Sequence, residues 1–251
     1  MGTSTSSRGP GNTSPHVPPW ADTDGKGPGP APAPKRFQGF RTSLGKFVSG
    51  NDQADLRAAL GRYAKTATGG KAVGPRRFGS MARAGGALFD TMSAFRDGQG
   101  AAGLDLATLN GQDTDVVIEA IVRALVPADG DADRVRVAMN EALSECLQGY
   151  DEFDFAHISD EMIVDMMLAY VGHCIFEQIV LDSRDAFAKA ETPDQVEQAE
   201  KELRLLIGAA TDKHMGPLLS GNVRTLSGSQ VEAAQLQAIR EVWGEWEAYE
   251  P

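Results

Sequence analysis

From Phe37 onward, apolar side chains recur at the three- and four-residue spacing of α-helices, and no run alternates in the manner of a half-buried β-strand. The first stripe is Phe37, Phe40, Leu44 and Phe47, and the last is Leu236, Ile239, Val242 and Trp246. With 41% apolar residues, the chain can bury a sizeable core. The sequence therefore predicts an all-α fold with a multi-helix, bundle-like body.

Capping residues and helix breakers mark where these helices begin and end. The sequence predicts helices at about 52–67, 76–96, 113–126, 131–147 and 159–190, and two more that begin near 192 and 229. Two segments match a capping box, in which side chains satisfy the first free N–H groups of a helix: Thr192-Pro193-Asp194-Gln195, and Ser229 with Glu232. The pair Gly85-Gly86 weakens the expected helix at 76–96, because glycine disfavours helix interiors.

The first 36 residues have a different character. They are rich in Gly, Pro, Ser and Thr, and their sizeable apolar groups are Val17 and Trp20. Prolines alternate with small residues at Pro28, Pro30, Pro32 and Pro34. Such a segment favours extended conformations and buries too little surface to offset the entropy of ordering. We expect residues 1–36 to be a disordered arm that reaches on the order of 100 Å when stretched.

The net charge of −11 is unevenly distributed along the chain. Residues 1–100 contain 14 Lys/Arg and 6 Asp/Glu, a balance of +8, whereas residues 101–251 contain 10 and 29, a balance of −19. The asymmetry predicts a basic helical region at 37–100 and an acidic helical bundle at 101–251. The basic region could meet an acidic protein, nucleic acid or the chain's own acidic half.

Cysteine usage and hydropathy indicate a cytoplasmic protein. Cys146 and Cys174 lie in helical stretches and suit a reducing compartment, and no charged-then-apolar leader opens the chain. The long apolar run at 162–181 carries four polar residues, which favours a helix buried in protein over one in a membrane. These residues are Asp165, His173, Glu177 and Gln178.

The same run offers the best enzymatic interpretation. His173 and Glu177 share a helix face and Asp165 lies within about a third of the circumference, so the three could perform acid–base chemistry or bind a metal. The alternative, which we favour, is a polar stripe along a packed helix. Because no HExxH motif and no pair of CxxC motifs is present, we expect neither a metal nor a cofactor.

Signals for phosphate or nucleic acid are weak. Thr68-Gly69-Gly70-Lys71 lacks the spacing of a phosphate loop, and the glycines at 98, 100 and 103 follow no strand. The basic stretch 57–83 could contact a nucleic-acid backbone, but its aromatic residues are better explained as core. Nucleic-acid binding is therefore possible but not favoured.

The extreme N-terminus carries the most specific chemistry. Glycine at position 2 permits removal of Met1, which would leave the unhindered α-amine of Gly2, with a pKa of about 7.7–8.0, as an acceptor for an activated acyl group. The hydroxyl-rich residues that follow could be recognised by a modifying enzyme: Thr3, Ser4, Thr5 and Ser6. Glycine second with serine sixth also fits a myristoylation acceptor, and a merely solvating terminus is the simplest alternative.

Several segments resemble one known family. They are similar to QatB, a component of the bacterial Qat anti-phage defence system, and comprise 1–6, Val17-Pro18-Pro19-Trp20, 36–41, 63–70, Arg76-Arg77 with the helix that follows, and 172–187. The resemblance implies an operon with an ATPase (QatA), a QueC-like enzyme (QatC) and a TatD-like nuclease (QatD). QueC enzymes use ATP to activate the carboxylate of a 7-deazaguanine and join it to ammonia.

The resemblance suggests that the QueC-like enzyme here offers that carboxylate to a protein amine. Gly2 would then carry a deazaguanine amide, with Thr3, Ser4, Thr5 and Ser6 as the recognition sequence. It also sets aside the lipid interpretation, since bacteria generally lack the myristoylating enzyme. We expect a non-enzymatic adaptor whose body docks the ATPase. The alternatives are a pure scaffold without modification and an enzyme that uses His173 and Glu177.

Overall fold

The structure is a computed structural model that describes residues 11, 13–23, 25–221 and 223–249. Over these residues the chain forms nine α-helices and no β-strand, which confirms the all-α prediction. The helices are α1 Gln38–Gly50, α2 Gln53–Arg62, α3 Gly79–Arg96, α4 Leu106–Leu109, α5 Thr114–Leu125, α6 Ala132–Cys146, α7 Asp160–Ser183, α8 Pro193–Leu219 and α9 Gly228–Glu247. Short 3₁₀ turns connect several of them, and a π-helical turn, Tyr63–Ala67, extends α2.

Side-chain caps begin several helices where the sequence places them. Asp52 accepts a hydrogen bond from the backbone N–H of Ala54 at the start of α2, and Asp113 accepts one from Asp115 at the start of α5. Ser159 caps α7 through the N–H of Met162. Each cap satisfies one of the otherwise free N–H groups in the first turn.

The capping box predicted for the last helix is wrong by two residues. Helix α9 begins at Gly228, and its box is formed by Ser227 and Gln230. The Gln230 side chain accepts from the N–H of Ser227 at 2.9 Å, and the Ser227 hydroxyl accepts from the N–H of Gln230 at 3.4 Å. Ser227 to Gln230 has the same spacing as Ser229 to Glu232, so the motif alone could not select between them.

The chain divides into two compact units, each built from separated segments. Unit 1 comprises the described parts of Met1–Arg77, Ile175–Ala209 and Ile239–Pro251, and unit 2 comprises Phe78–Cys174 and Ala210–Ala238. By sequence, the ranges of unit 1 contain 17 Lys/Arg and 16 Asp/Glu, a balance of +1, whereas those of unit 2 contain 7 and 19, a balance of −12. The basic N-terminal segment is therefore folded together with acidic segments from late in the chain.

Helix α7 and the turn that follows it (Asp160–Lys189) are long and apolar enough to cross a membrane by length and composition. In its most apolar window, 61% is buried inside the protein. A helix that is apolar on all faces and covered by its own chain is typical of a protein core. This agrees with the expectation of a helix buried in protein.

Candidate functional site

The predicted modification residues, Gly2 with Thr3, Ser4, Thr5 and Ser6, lie outside the described residues. What the structure does describe is the segment that leads from them to the helical body. We call residues 13–23 and 25–36 the N-terminal strap. They contain turns and bends but no helix, as their composition predicts.

The strap is attached to unit 1 by buried side chains, which the composition of the predicted arm did not indicate. His16, Val17 and Ala21 are buried, and the two apolar residues have no exposed surface. The backbone N–H of Val17 donates to the carbonyl of Pro28, so the strap also folds back on itself. A few small buried groups can hold the segment because two arginines supply further contacts: Arg76 from the body, and Arg36 at the end of the strap itself.

Arg76 forms one of these contacts. One guanidinium nitrogen lies 2.6 Å from the carboxylate of Asp22 and 2.7 Å from the carbonyl oxygen of Gly27. The hydrogen bond from Arg76 lowers the pKa of the Asp22 carboxyl below its usual value. The charged form of Asp22 is thus the one that holds the strap.

Arg36 forms the second contact, with His16. Its guanidinium donates to Nδ1 of His16 at 2.7 Å and to the carbonyl oxygen of Ser14 at 3.0 Å. Because a guanidinium has only donors, Nδ1 must accept and the imidazole must be neutral. Burial first and the charge of Arg36 second lower the pKa of His16 below 6.5. The neutral imidazole that this contact requires is therefore the form that His16 adopts at neutral pH.

Beneath the strap, unit 1 contains a buried polar cluster that we call the arginine network: Arg36, Arg41, Tyr63, Arg77 and Asp182. The fully buried carboxylate of Asp182 accepts from the Tyr63 hydroxyl at 2.8 Å and from the Arg77 guanidinium at 3.0 Å. Arg41 donates to the backbone carbonyl of Asp182 at 2.8 Å. The network ties α1, the π-helical turn, the turn before α3 and the end of α7 to one another.

Two arginines of the network also lie against one aromatic ring. The guanidinium carbons of Arg36 and Arg41 are 4.7 and 4.8 Å from the centre of the Phe37 ring. Burial is the main cause that lowers the pKa of both arginines. Since guanidinium groups stay protonated in proteins, the cluster offers fixed positive charge and hydrogen-bond donors rather than a titrating acid or base.

The sequence did not single out this network as a site. Tyr63 and Asp182 are far apart in the chain. Asp182 directly follows the apolar run 162–181, in which the candidate site residues were His173, Glu177 and Asp165. The one sequence signal for the network was the carboxylate of Asp182 within a predicted core helix, where an unpaired charge is costly. The partners of that carboxylate could not be read from spacing.

The Thr68-Gly69-Gly70-Lys71 segment uses its donors within unit 1. The backbone N–H of Lys71 donates to the Glu247 carboxylate at 2.5 Å, and the Lys71 ammonium lies 2.8 Å from Glu241. The Thr68 hydroxyl accepts from the indole of Trp243 at 2.9 Å. These contacts engage the threonine and the lysine in packing against α9, whereas Gly69 and Gly70 have φ angles of +87° and +83°, which favour glycine.

The basic stretch 57–83 is similarly engaged. Besides Lys71, Arg76 and Arg77, the guanidinium of Arg62 donates to the Ser43 hydroxyl. Arg57 lies over the ring of Tyr249. Most of the cations that could have faced a nucleic acid therefore hold unit 1 together.

In unit 2, Nε2 of His173 lies 3.0 Å from the carboxylate of Glu145, a residue that sequence reasoning did not pair with it. Burial, with Asp165 and Glu145 as smaller causes, raises the pKa of the Cys146 thiol to about 12. Such a thiol stays protonated at neutral pH and is a poor nucleophile. Across the described part of the chain, no three His, Cys, Asp or Glu residues are arranged to hold a metal ion.

Comparison with protein families matches residues 69–245 to the family described as "QatB: Qat anti-phage system associated protein QatB". Searches of curated proteins and of solved structures gave no match. Fold and family match together define the class: an all-α component of an anti-phage defence system. The chain belongs to the QatB family, because the match covers well over half of its length. The matched range begins after the strap and after the predicted modification residues.

Proposed function

We propose that this chain is a non-enzymatic defence component whose N-terminal glycine, exposed by removal of Met1, accepts a 7-deazaguanine acyl group from a QueC-like partner (QatC). The observation that carries the proposal is membership of the QatB family, in an anti-phage system, combined with glycine at position 2. The recognition sequence would be Thr3, Ser4, Thr5 and Ser6.

The chemistry requires only an amine and an activated carboxylate. ATP activates the deazaguanine carboxylate on the enzyme, and the neutral amine nitrogen of Gly2 attacks the activated carbonyl carbon. The bond to the leaving group breaks, that group departs with its electron pair, and the nitrogen loses one proton to give an amide. A glycine α-amine has a pKa of about 7.7–8.0, so a useful fraction is neutral near pH 7.

The strap sets how far Gly2 can travel from the body. With His16 and Val17 buried, the stretch from Gly2 to His16 spans at most roughly 50 Å when fully extended. This is about half the reach expected for an arm that is free to residue 36. It still suffices to enter an active site on a partner that binds near the strap.

The proposal gives the helical body a second role, which is to dock the ATPase (QatA). Unit 2 supports such a role with a charge of −12 and with exposed apolar side chains at Val116, Val137 and Tyr150. A net charge of one sign favours a partner surface of the opposite charge. The TatD-like nuclease (QatD) is a further candidate partner.

Intact-mass spectrometry after co-expression with the operon tests the modification. We expect the N-terminal peptide to lose Met1 and to gain the mass of a deazaguanine acyl group. Gly2→Val, which still allows Met1 removal but crowds the amine, should abolish the gain and the protection against phage. Gly11→Ala is the matched control, because its new Cβ would meet only the Ser14 hydroxyl at 3.8 Å.

The rival interpretations give different results in the same assays. A pure scaffold would show no added mass and would keep protecting cells in the Gly2→Val variant. An enzyme built on His173 and Glu177 would lose protection when His173 alone is changed, while the protein stays folded. Either result would replace the proposed function.

A further inference from the structure

Trp20 exposes its indole on the strap, and nothing in the fold or the proposed function accounts for this. It is 43% exposed, whereas Trp243 and Trp246, the other two tryptophans, are completely buried. Trp20 is also the largest exposed apolar side chain among the described residues. Leaving an indole in water forgoes the stabilisation that its burial would give, so the exposure calls for an explanation.

The backbone beneath Trp20 is held rigidly. The N–H of Ala21 donates to the carbonyl of Pro18 at 3.0 Å, which closes a turn with Pro19 and Trp20 at its tip. Residues on both sides of the turn, Val17 and Ala21, are fully buried. The prolines fix their own φ angles, so the turn has little freedom to lose when a partner binds.

The next residue along, Asp22, anchors the turn to the body. Its carboxylate lies 2.6 Å from the Arg76 guanidinium and accepts from the N–H of Gly27 at 2.6 Å. An exposed tryptophan on a preordered turn is the residue type and setting in which binding energy concentrates. The position therefore suits an anchor that inserts into an apolar pocket on another protein.

The place of Trp20 in the chain indicates which protein that is. The stretch from Gly2 to Trp20 spans at most roughly 60 Å when extended, so a protein bound at Trp20 keeps the N-terminal amine within reach. Short tethers of this kind give local concentrations in the millimolar range. A partner that must act on Gly2 gains most from an anchor here.

We propose that Trp20 is the docking residue through which the enzyme that acylates Gly2 binds this chain. The inference rests on the proposed function, because it names a surface for the same enzyme. Docking at Trp20 and reaction at Gly2 are separate events: the first sets how often the enzyme captures the chain, and the second sets how fast the bound chain reacts.

Fluorescence quenching by acrylamide tests docking without chemistry. Because Trp243 and Trp246 are buried, the quenchable emission of the free protein comes from Trp20. Addition of the purified QueC-like enzyme without ATP should protect this emission from acrylamide. After subtraction of the emission of the enzyme alone, the quenchable component should be missing in Trp20→Phe both with and without the enzyme. Protection by the ATPase alone, or at high protein concentration without any partner, would overturn the assignment.

Modification kinetics provide the second readout. In Trp20→Ala we expect kcat/KM for modification of Gly2 to fall at least tenfold, with kcat, measured when this chain saturates the enzyme, close to that of the wild type. Leu205→Ala is the matched control, since Leu205 is 61% exposed on the same unit, and it should react normally. Equal kcat/KM for Trp20→Ala and the wild type would refute the inference but leave the proposed function intact. Failure of the wild-type chain to be modified would instead refute the proposed function.

Discussion

The Asp182 side chain has no exposed surface, so its hydrogen-bond partners determine how a substitution there affects stability. It receives hydrogen bonds from the Tyr63 hydroxyl and the Arg77 guanidinium. A buried ion pair adds little stability compared with an apolar pair of the same shape, but removal of one partner is costly because the other charge remains buried.

Asp182→Asn should therefore destabilise the protein strongly although it preserves the shape of the side chain. We expect the free energy of unfolding in urea to fall by about 3 kcal/mol at pH 7, the range measured for broken buried pairs. Asp185→Asn, an exposed change three residues along, should alter it by less than about 0.5 kcal/mol. Equal small effects in the two variants would mean that the Asp182 carboxylate does not balance the buried guanidinium.

His16 makes the stability of unit 1 depend on pH. Its pKa is lowered below 6.5 by burial and by Arg36, so the unfolded chain binds a proton that the folded chain resists. Stability must then rise with pH through the window below 6.5 and be fully present above it. Acidification through this window weakens the attachment of the strap.

The prediction is tested by the pH dependence of unfolding in wild type and His16→Gln, whose amide oxygen can still accept from Arg36. The difference between their free energies of unfolding should be constant above pH 6.5 and should shrink as pH falls below it. The other three histidines are common to both proteins, so their contributions cancel. A difference that does not change between pH 7 and pH 5 would contradict the assignment of a neutral imidazole to His16 in the folded protein.

At the scale of elements, α3 runs continuously through Gly85 and Gly86, which the sequence marked as a weak point. A Cβ on Gly85 would lie 2.4 Å from the Gln235 side chain, and one on Gly86 would lie 2.5 Å from the backbone oxygen of Gly228. The glycines therefore permit close packing between α3 and α9 within unit 2. The two glycines lower the helix propensity of α3 but allow its close contact with α9.

Gly86→Ala should consequently destabilise the protein although alanine is the better helix former. Because the obstacle is a backbone oxygen, we expect a loss of about 1–3 kcal/mol, as for an overpacked core. Gly172→Ala, in α7 of the same unit, has open space around its new Cβ and should stabilise by up to about 1 kcal/mol. Thermal unfolding of both variants measures the contrast, and a stabilised Gly86→Ala would show that the two helices can separate without cost.

This contrast shows why the sequence predicted the elements better than their contacts. Periodicity and caps depend on neighbours within one turn, and α2 and α5 begin at Gln53 and Thr114, one residue after the predicted boundaries. The role of Gly86 and the partners of Asp182 depend on residues about a hundred positions away, which no local pattern encodes. The same holds for the strap: a segment of low hydrophobicity is held because Arg76 of the body binds Asp22 and Arg36 at the end of the strap binds His16.

At the scale of the whole molecule, the distribution of charge along the chain differs from that between the compact units. The +8 of residues 1–100 becomes +1 in unit 1, because acidic segments such as Ile175–Ala209 join it. Contacts such as Lys71 with Glu241 and Arg77 with Asp182 show how the charges are matched. The negative excess, −12, is concentrated in unit 2. Electrostatic attraction would therefore select a partner at unit 2 rather than at the basic segment.

The strap is the part of the molecule that links the N-terminus to this body, and its attachment can be measured directly. Lys26 lies in the strap and is exposed. Trypsin can cut there only when local unfolding has released several neighbouring residues from their contacts. Asp22→Ala removes the carboxylate that Arg76, Lys26 and Gly27 hold. Because the variant loses the charge-assisted hydrogen bonds that fasten the strap to the body, we expect cleavage after Lys26 to accelerate at least tenfold.

Two controls separate release of the strap from general unfolding. Cleavage after Lys46, within α1, should proceed at the same rate in Asp22→Ala and wild type, because it requires opening of the body. Thr23→Ala, an exposed change beside Asp22, should leave both rates unaltered. If Asp22→Ala accelerated neither cut, the strap would be held without the Asp22 carboxylate, by the contacts of His16, Val17 and Ala21. If it accelerated both equally, Arg76 would be stabilising unit 1 as a whole rather than fastening the segment that carries Gly2.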